Sequence, residues 1–300
     1  MIARLVIAAW LALLPARGAA PPASAFLRAA NGEQRTIYII GMDEQAIRFR
    51  ESLEATVVRQ IANVEVKGLF FFSSPAMAEA QVLFEGRKYA AARAKFAALR
   101  EDYENLAGIE GNPAAQAGFM ELECLRRSGD LEGLAKALET FDRRGLGGES
   151  QRRQLDLYTT WDAVRVQDWP RAEASAREAL KDRSLPSSQK VQAAYCLGQA
   201  LEAQGKPDAA IDAYQTAMAA DGGTAVEITR EAALKTLRLH RKDPAVIAAM
   251  KTGDGPGRTR LLEAAGLAEL YGSLPGVGEP LPPELAEFLK FRPESAPRDK

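Results

Sequence analysis

The chain has one histidine, His240, and two cysteines, Cys124 and Cys196, and nucleophilic or metal chemistry would have to be assembled around them. A serine triad needs a histidine to take the nucleophile's proton, so only His240 could serve. It stands in LKTLRLHRK, at the end of a helical pattern, where a cation favours the helix dipole. No nucleophile is marked beside it. Zinc would require Cys and His in short, spaced clusters, and none exists. Carboxylate pairs such as Glu121 with Glu123, or Glu284 with Glu287, could in principle do acid–base work. At those spacings they mark solvated helix faces. The stretch Gly253-Asp254-Gly255-Pro256-Gly257 follows no strand, so it reads as a connector rather than a phosphate cradle. There is no Walker loop and no Gly-x-Ser-x-Gly elbow. The expectation is a protein that is not an enzyme, with no catalytic residue, no metal and no cofactor.

The elements that carry these residues follow from composition and pattern. Of 300 residues, 47% are hydrophobic and 7% aromatic, with abundant alanine, which favours closely packed helices. Lys and Arg number 39 against 40 Asp and Glu. So even a balance gives no basic field for nucleic acid and no reason to invoke an anionic membrane surface. The start, MIARLVIAAWLALL, has one Arg and then an apolar run from Leu5 to Leu14, broken by Pro15. This is the layout of a secretory leader. Its apolar run is half the length needed to span a bilayer, so no membrane span is expected. Cleavage is placed after Ala25, with a site near Gly18 to Ala20 as the alternative. The domains implied are a leader over 1–25, a small β domain over 26–74, helical repeats over 75–273, and a linker, short helix and tail over 274–300.

Residues Thr36 to Phe72 gather β-branched and aromatic side chains, with clear alternation in Ala46-Ile47-Arg48-Phe49-Arg50. Turn signals at Gly41-Met42-Asp43 and Lys67-Gly68 divide strands near 36–42, 45–50, 54–59 and 64–72. So short a meander must curl into a barrel to cover its edges. The run Leu69-Phe70-Phe71-Phe72 is expected to be buried on both faces. The pattern resembles the SH3-like or Sm-like small barrels that precede helical repeats in some secreted bacterial proteins. Such a module either docks a partner or caps the helices.

From residue 75 the chain repeats. Gly205-Lys206-Pro207 separates two helical patterns; 38 residues earlier Gln167-Asp168-Trp169 does the same, and another 38 earlier Gly129-Asp130-Leu131. Leu134, Ala172 and Ala210 correspond, as do Leu138, Ala176 and Tyr214, and Phe141, Ala179 and Ala217. The columns lie on one helix face. Leu197, Gly198, Leu201, Ala210, Tyr214 and Ala217 resemble the tetratricopeptide repeat, with its Leu-Gly pair in the first helix and Ala-x-x-x-aromatic in the second. Tyr89 to Phe96 resembles the second-helix half. The two units between depart from the pattern, with Leu122 and Thr160 where Gly198 sits. The fold class implied is mainly α: a solenoid of stacked helical hairpins near 75–105, 113–143, 150–182, 187–220 and 224–251, preceded by the small β segment. Further helices are expected near 257–272 and 284–291. Ser74-Pro75, Asn112-Pro113 and Asp243-Pro244 should cap helices, and Thr224 with Glu227 should form a capping box.

The resemblance also implies a concave groove lined by first helices, and with it a protein or peptide partner. Counted back from each inter-helix turn, the groove positions are Gln116, Phe119, Met120, Glu123, Arg126 and Arg127 in one unit. The next supplies Gln154, Leu157, Tyr158, Trp161 and Arg165, and the third Gln192, Tyr195 and Gln199. Cys124 and Cys196 fall two units apart, beyond disulfide reach, and are expected as separate buried thiols. The function expected is an exported scaffold, periplasmic, extracellular or associated with an outer membrane, that holds a partner segment in the groove. Two alternatives stand beside it: a structural subunit of an envelope assembly docking through the β module, and an envelope hydrolase using carboxylates. Partner identity and oligomeric state are left open.

Overall fold

The structure is a computed structural model. It describes residues 22–221, 223, 225–274 and 280–292. The expected leader up to residue 21, Gly222, Thr224, most of the expected linker and the tail beyond 292 lie outside the described residues. The chain divides into two compact units. One runs to Cys124 and takes in Phe141–Gly147; the other comprises Leu125–Thr140 and everything from Gly148 on.

The first unit opens with five antiparallel strands: β1 (Ala23–Ala29), β2 (Gln34–Met42), β3 (Ala46–Arg50), β4 (Arg59–Ala62) and β5 (Val66–Phe71). Their order in the sheet is β4-β3-β2-β1-β5. β4 and β5 are thus opposite edges, yet only a three-residue 3₁₀ turn, Asn63–Glu65, joins them. Four inter-strand gaps in a flat sheet would separate the edges by about 19 Å. The chain from Ala62 to Val66 reaches about 14 Å at most. The sheet therefore curls toward a barrel, as expected. Two boundaries differ from expectation. The strand expected over 54–59 is not formed: Val57 and Val58 are exposed in an irregular segment, and β4 begins at Arg59. A boundary between residues 25 and 26 would cut β1, an inner strand in which Ala23, Ala25, Leu27 and Ala29 face the core. Small residues at period 2 suit a curled inner face, and their likeness to a leader cleavage site concealed the strand.

The helices α1 (Pro75–Glu85) and α2 (Tyr89–Asp102) complete this unit's core. Ile37, Ile39 and Phe49 from the sheet join Ala80, Phe84, Phe96 and Leu99 from the helices in a single cluster. So the β segment and its first hairpin share one interior. Leu69 and Phe71 pack partly against it, while Phe70 and Phe72 are 64% and 49% exposed. The aromatic run is therefore buried on one face, not two, because β5 is an edge with alternating sides.

The remaining helices are α3 (Pro113–Arg127), α4 (Leu131–Glu139), α5 (Glu149–Arg165), α6 (Trp169–Lys181), α7 (Ser187–Ala203), α8 (Pro207–Ala220), α9 (Val226–Lys242), α10 (Pro244–Thr252), α11 (Arg258–Ser273) and α12 (Pro283–Ala286), which continues as a 3₁₀ turn to Phe291. The expected hairpins are present within a few residues. Ser74 Oγ accepts from the Met77 N–H at 3.1 Å, Asn112 Oδ1 from Ala115 at 2.9 Å and Asp243 Oδ1 from Ala245 at 2.8 Å. At α9, Thr224 of the expected capping box lies outside the described residues; Asp221 accepts from the Ala225 N–H and the Thr229 hydroxyl beside the helix start. Leu285 and Phe288 close the far end of the second unit against α9 and α11 residues such as Leu237, Leu261 and Tyr271.

Candidate partner-binding surface

In the second unit, α5 and α7 are the first helices of successive hairpins, and they meet through equivalent positions. Gln154 and Gln192, one 38-residue period apart, exchange both carboxamide bonds, at 2.9 and 3.0 Å. Gln192 Oε1 also accepts from the indole Nε1 of Trp161 at 3.0 Å. Gln189 donates to the Ser150 carbonyl at 2.7 Å, one turn nearer the helix starts. Gln154, Gln192 and the Trp161 indole are thus buried polar groups satisfied across the helix–helix contact, whereas Gln189 Oε1 is buried without a partner among the described residues.

Most of the expected groove residues of this unit are accordingly interior. Gln154, Leu157, Tyr158, Trp161, Gln192 and Tyr195 are all buried. Arg165 is half-buried and engaged, with Asp162 and Glu132 around its guanidinium. The Asp162 carboxyl is held below its ordinary range chiefly by that hydrogen bond. Gln199 is half-buried. The rings of Trp161 and Tyr195 pack tilted against each other at 6.1 Å between centroids, and those of Tyr195 and Tyr214 at 5.8 Å. Burial pushes both tyrosine hydroxyls and the Cys196 thiol well above their usual pKa, so all three remain protonated. Cys124 and Cys196 are both buried free thiols. Beside Trp161 lies a cavity of about 40 Å³, lined by Arg126, Arg127, Trp161, Ala225, Glu227 and Ile228. That volume suits a water or a side-chain tip, not a backbone segment. The expected groove aromatics are thus packed among neighbouring side chains. One helix read alone shows which residues share a face, but not that the next hairpin will cover that face.

On α3 the expected residues divide. Gln116 is exposed, Phe119 and Met120 are half-buried with Met120 against the first unit's core, Glu123 and Arg126 are buried, and Arg127 is half-buried. Gln116 lines a larger cleft within the first unit, about 740 Å³, that the sequence reading did not foresee. Its signal was the aromatic run at β5.

His240 is corrected too. It is 2% exposed, and burial lowers its pKa, with Glu263 opposing and Arg260 adding to that shift. It is a neutral interior residue; Arg241 and Lys242 supply the charge at the end of α9. Gly253 ends α10 in a left-handed conformation, which fits the connector role expected of its stretch. Among the described residues, no three His, Cys, Asp or Glu side chains group as a metal site would need. None of the described helices is long and apolar enough to cross a membrane.

No curated protein and no solved structure matches the chain. Residues 161–224, which cover the end of α5 and all of α6, α7 and α8, match the tetratricopeptide repeat family.

Proposed function

We propose that the chain is an exported, non-catalytic scaffold that holds a protein partner on the face of its second unit formed by the first helices. The observation that carries this reading is the repeat match over 161–224, joined to α5 and α7 meeting through positions one period apart. Tetratricopeptide repeats are generally protein-binding. Because Trp161 and Tyr195 are interior, the partner meets the rim of that face, where Arg127 and Gln199 are half-buried and Glu231 is exposed. Changing Arg127→Glu together with Glu231→Arg should abolish capture of a partner from the native envelope while the thermal midpoint holds. Capture that persists in the folded double variant would remove this face from contention.

Export rests on the leader pattern. The alternative cleavage near Gly18 to Ala20 leaves β1 whole and is the one the strand favours. The curled five-stranded antiparallel sheet supports the SH3-like reading of the β module. A second reading, docking through that module, is favoured by its cleft being far larger than the cavity beside Trp161. An envelope hydrolase has no observation in its favour: the carboxyls whose pKa departs from the ordinary range are held low, as ion-pair and cap partners are.

A further inference from the structure

We infer that the cleft of the first unit is a docking slot for one extended protein segment, which adds as a strand to the free edge of β5. This deepens the second reading above and is independent of the helical face.

All six residues of β5 line the cleft. Neighbouring side chains on a strand point to opposite faces, so a cavity lined by six in succession runs along the strand's edge. That edge has no strand on its other side among the described residues. The pairing register shows which main-chain groups are free. Phe72 donates its N–H to the carbonyl of Ser24, which lies opposite it. Ser24 with Phe72 and Phe26 with Phe70 are therefore hydrogen-bonded pairs, whereas Ala25 with Phe71 and Leu27 with Leu69 are not. The N–H and C=O of Leu69 and Phe71 consequently point away from β1, into the cleft.

The opposite wall is already built. It is the segment Gly108 to Gly111 with Gly147 beside it. Asn105 donates to the Ile40 carbonyl at 3.2 Å, Asn112 to the Ile109 carbonyl at 2.6 Å, and the Gly111 N–H to the Gly145 carbonyl at 2.8 Å. Ile109 within it and Leu106 just before it are both buried. Glycines along this wall leave room for a backbone to lie close. A second folded copy pairing edge to edge would bring its own neighbouring strand against this wall, so the slot fits a single strand. The segment's chemistry follows from the lining. Lys67 and Glu110 are its charged members and they balance, while Met42 and Ile47 give an apolar floor. The occupant is an extended, largely uncharged segment with apolar side chains at alternate positions. Main-chain bonds hold it, and its register is set by the floor.

The test pans random linear peptides of about 12 residues, twice the length of the edge, against the full chain. An enriched peptide is then synthesised. We expect alternate apolar residues, affinity insensitive to salt, and slowed hydrogen exchange at the Leu69 and Phe71 amides on binding. Leu69→Pro removes a donor that the sheet does not use. Gly108→Phe fills the slot from the far wall, where an added Cβ meets only Met42 Sδ at 3.6 Å, an ordinary contact. Each should weaken binding about tenfold or more. Arg127→Glu with Glu231→Arg should leave peptide binding unchanged, so the two proposals fail separately. Enrichment of no common pattern, or equal binding to a folded Gly108→Phe variant, would overturn the inference. So would a dimer of the chain alone that Leu69→Pro dissolves, because the edge would then belong to a second copy.

Discussion

Gly198 is the residue at which the repeat pattern and the packing meet most closely. A Cβ added there would lie 2.4 Å from a ring carbon of Tyr214, well inside contact distance. Gly198→Ala should therefore destabilise the second unit by about 1–3 kcal/mol in chemical denaturation. Adding Tyr214→Ala, which vacates the ring's space, should make the pair less costly than the sum of the single changes. By register, Thr160 takes the Gly198 position in the preceding hairpin and Ala176 the Tyr214 position. A larger first-helix residue there meets a smaller second-helix one, which is why that unit departs from the family pattern without losing the fold. His240 offers a second prediction. Burial disfavours its imidazolium, so its folded-state pKa lies below the ordinary value near 6.5. The unfolded chain then takes up the proton more readily. The stability His240 allows is complete above about pH 6.5 and is lost as pH falls through the folded value. Urea titrations between neutral and mildly acid pH should show that slope, and His240→Phe should flatten it. Gly198 and Tyr214 were legible because their spacing is local. The burial of His240 was not, because it depends on charged and apolar groups brought in by α8, α10 and α11.

At the scale of elements, helices were legible almost throughout, several by a capping side chain or a first-turn proline. Strands were less so. The inward face of β1 is three alanines and one leucine, too plain to separate from a leader, and its place is fixed by pairing with β2 and β5. A chain beginning at Phe26 should accordingly melt at a lower temperature than one beginning at Pro21, since it forfeits the buried Ala23 and Ala25 and half a ladder. The contact between α5 and α7 was equally hidden: the 38-residue repeat put Gln154 and Gln192 in register but could not show them facing each other. Gln192→Leu leaves Gln154 and the Trp161 indole without their partner, at about 1–3 kcal/mol for each buried group. Gln154→Leu in the same chain should recover part of that loss in equilibrium unfolding. The pair also bears on how partner binding is tested. Trp161 and Tyr195 are buried, so truncating both would remove interior packing as well as any contact they make with a partner.

For the molecule as a whole, composition and charge balance were enough to indicate a mainly helical architecture without a basic field, but they carried no information about how the chain is shared between its two units. The expected division at residue 74 follows the change from strands to helices. The observed division falls inside α3, because Tyr103, Leu106 and Ile109 belong to the same interior as the sheet. Moreover, the chain leaves the first unit for α4 and then returns to it through Phe141–Gly147, where Leu146 is buried and Gly145 accepts from Gly111. A polypeptide that emerges amino end first, from a ribosome or through a secretion pore, cannot finish this unit when α3 appears. It must wait until α4 has also passed and the returning loop can seat, so a fragment ending near residue 130 should be cut by protease where the full chain is resistant.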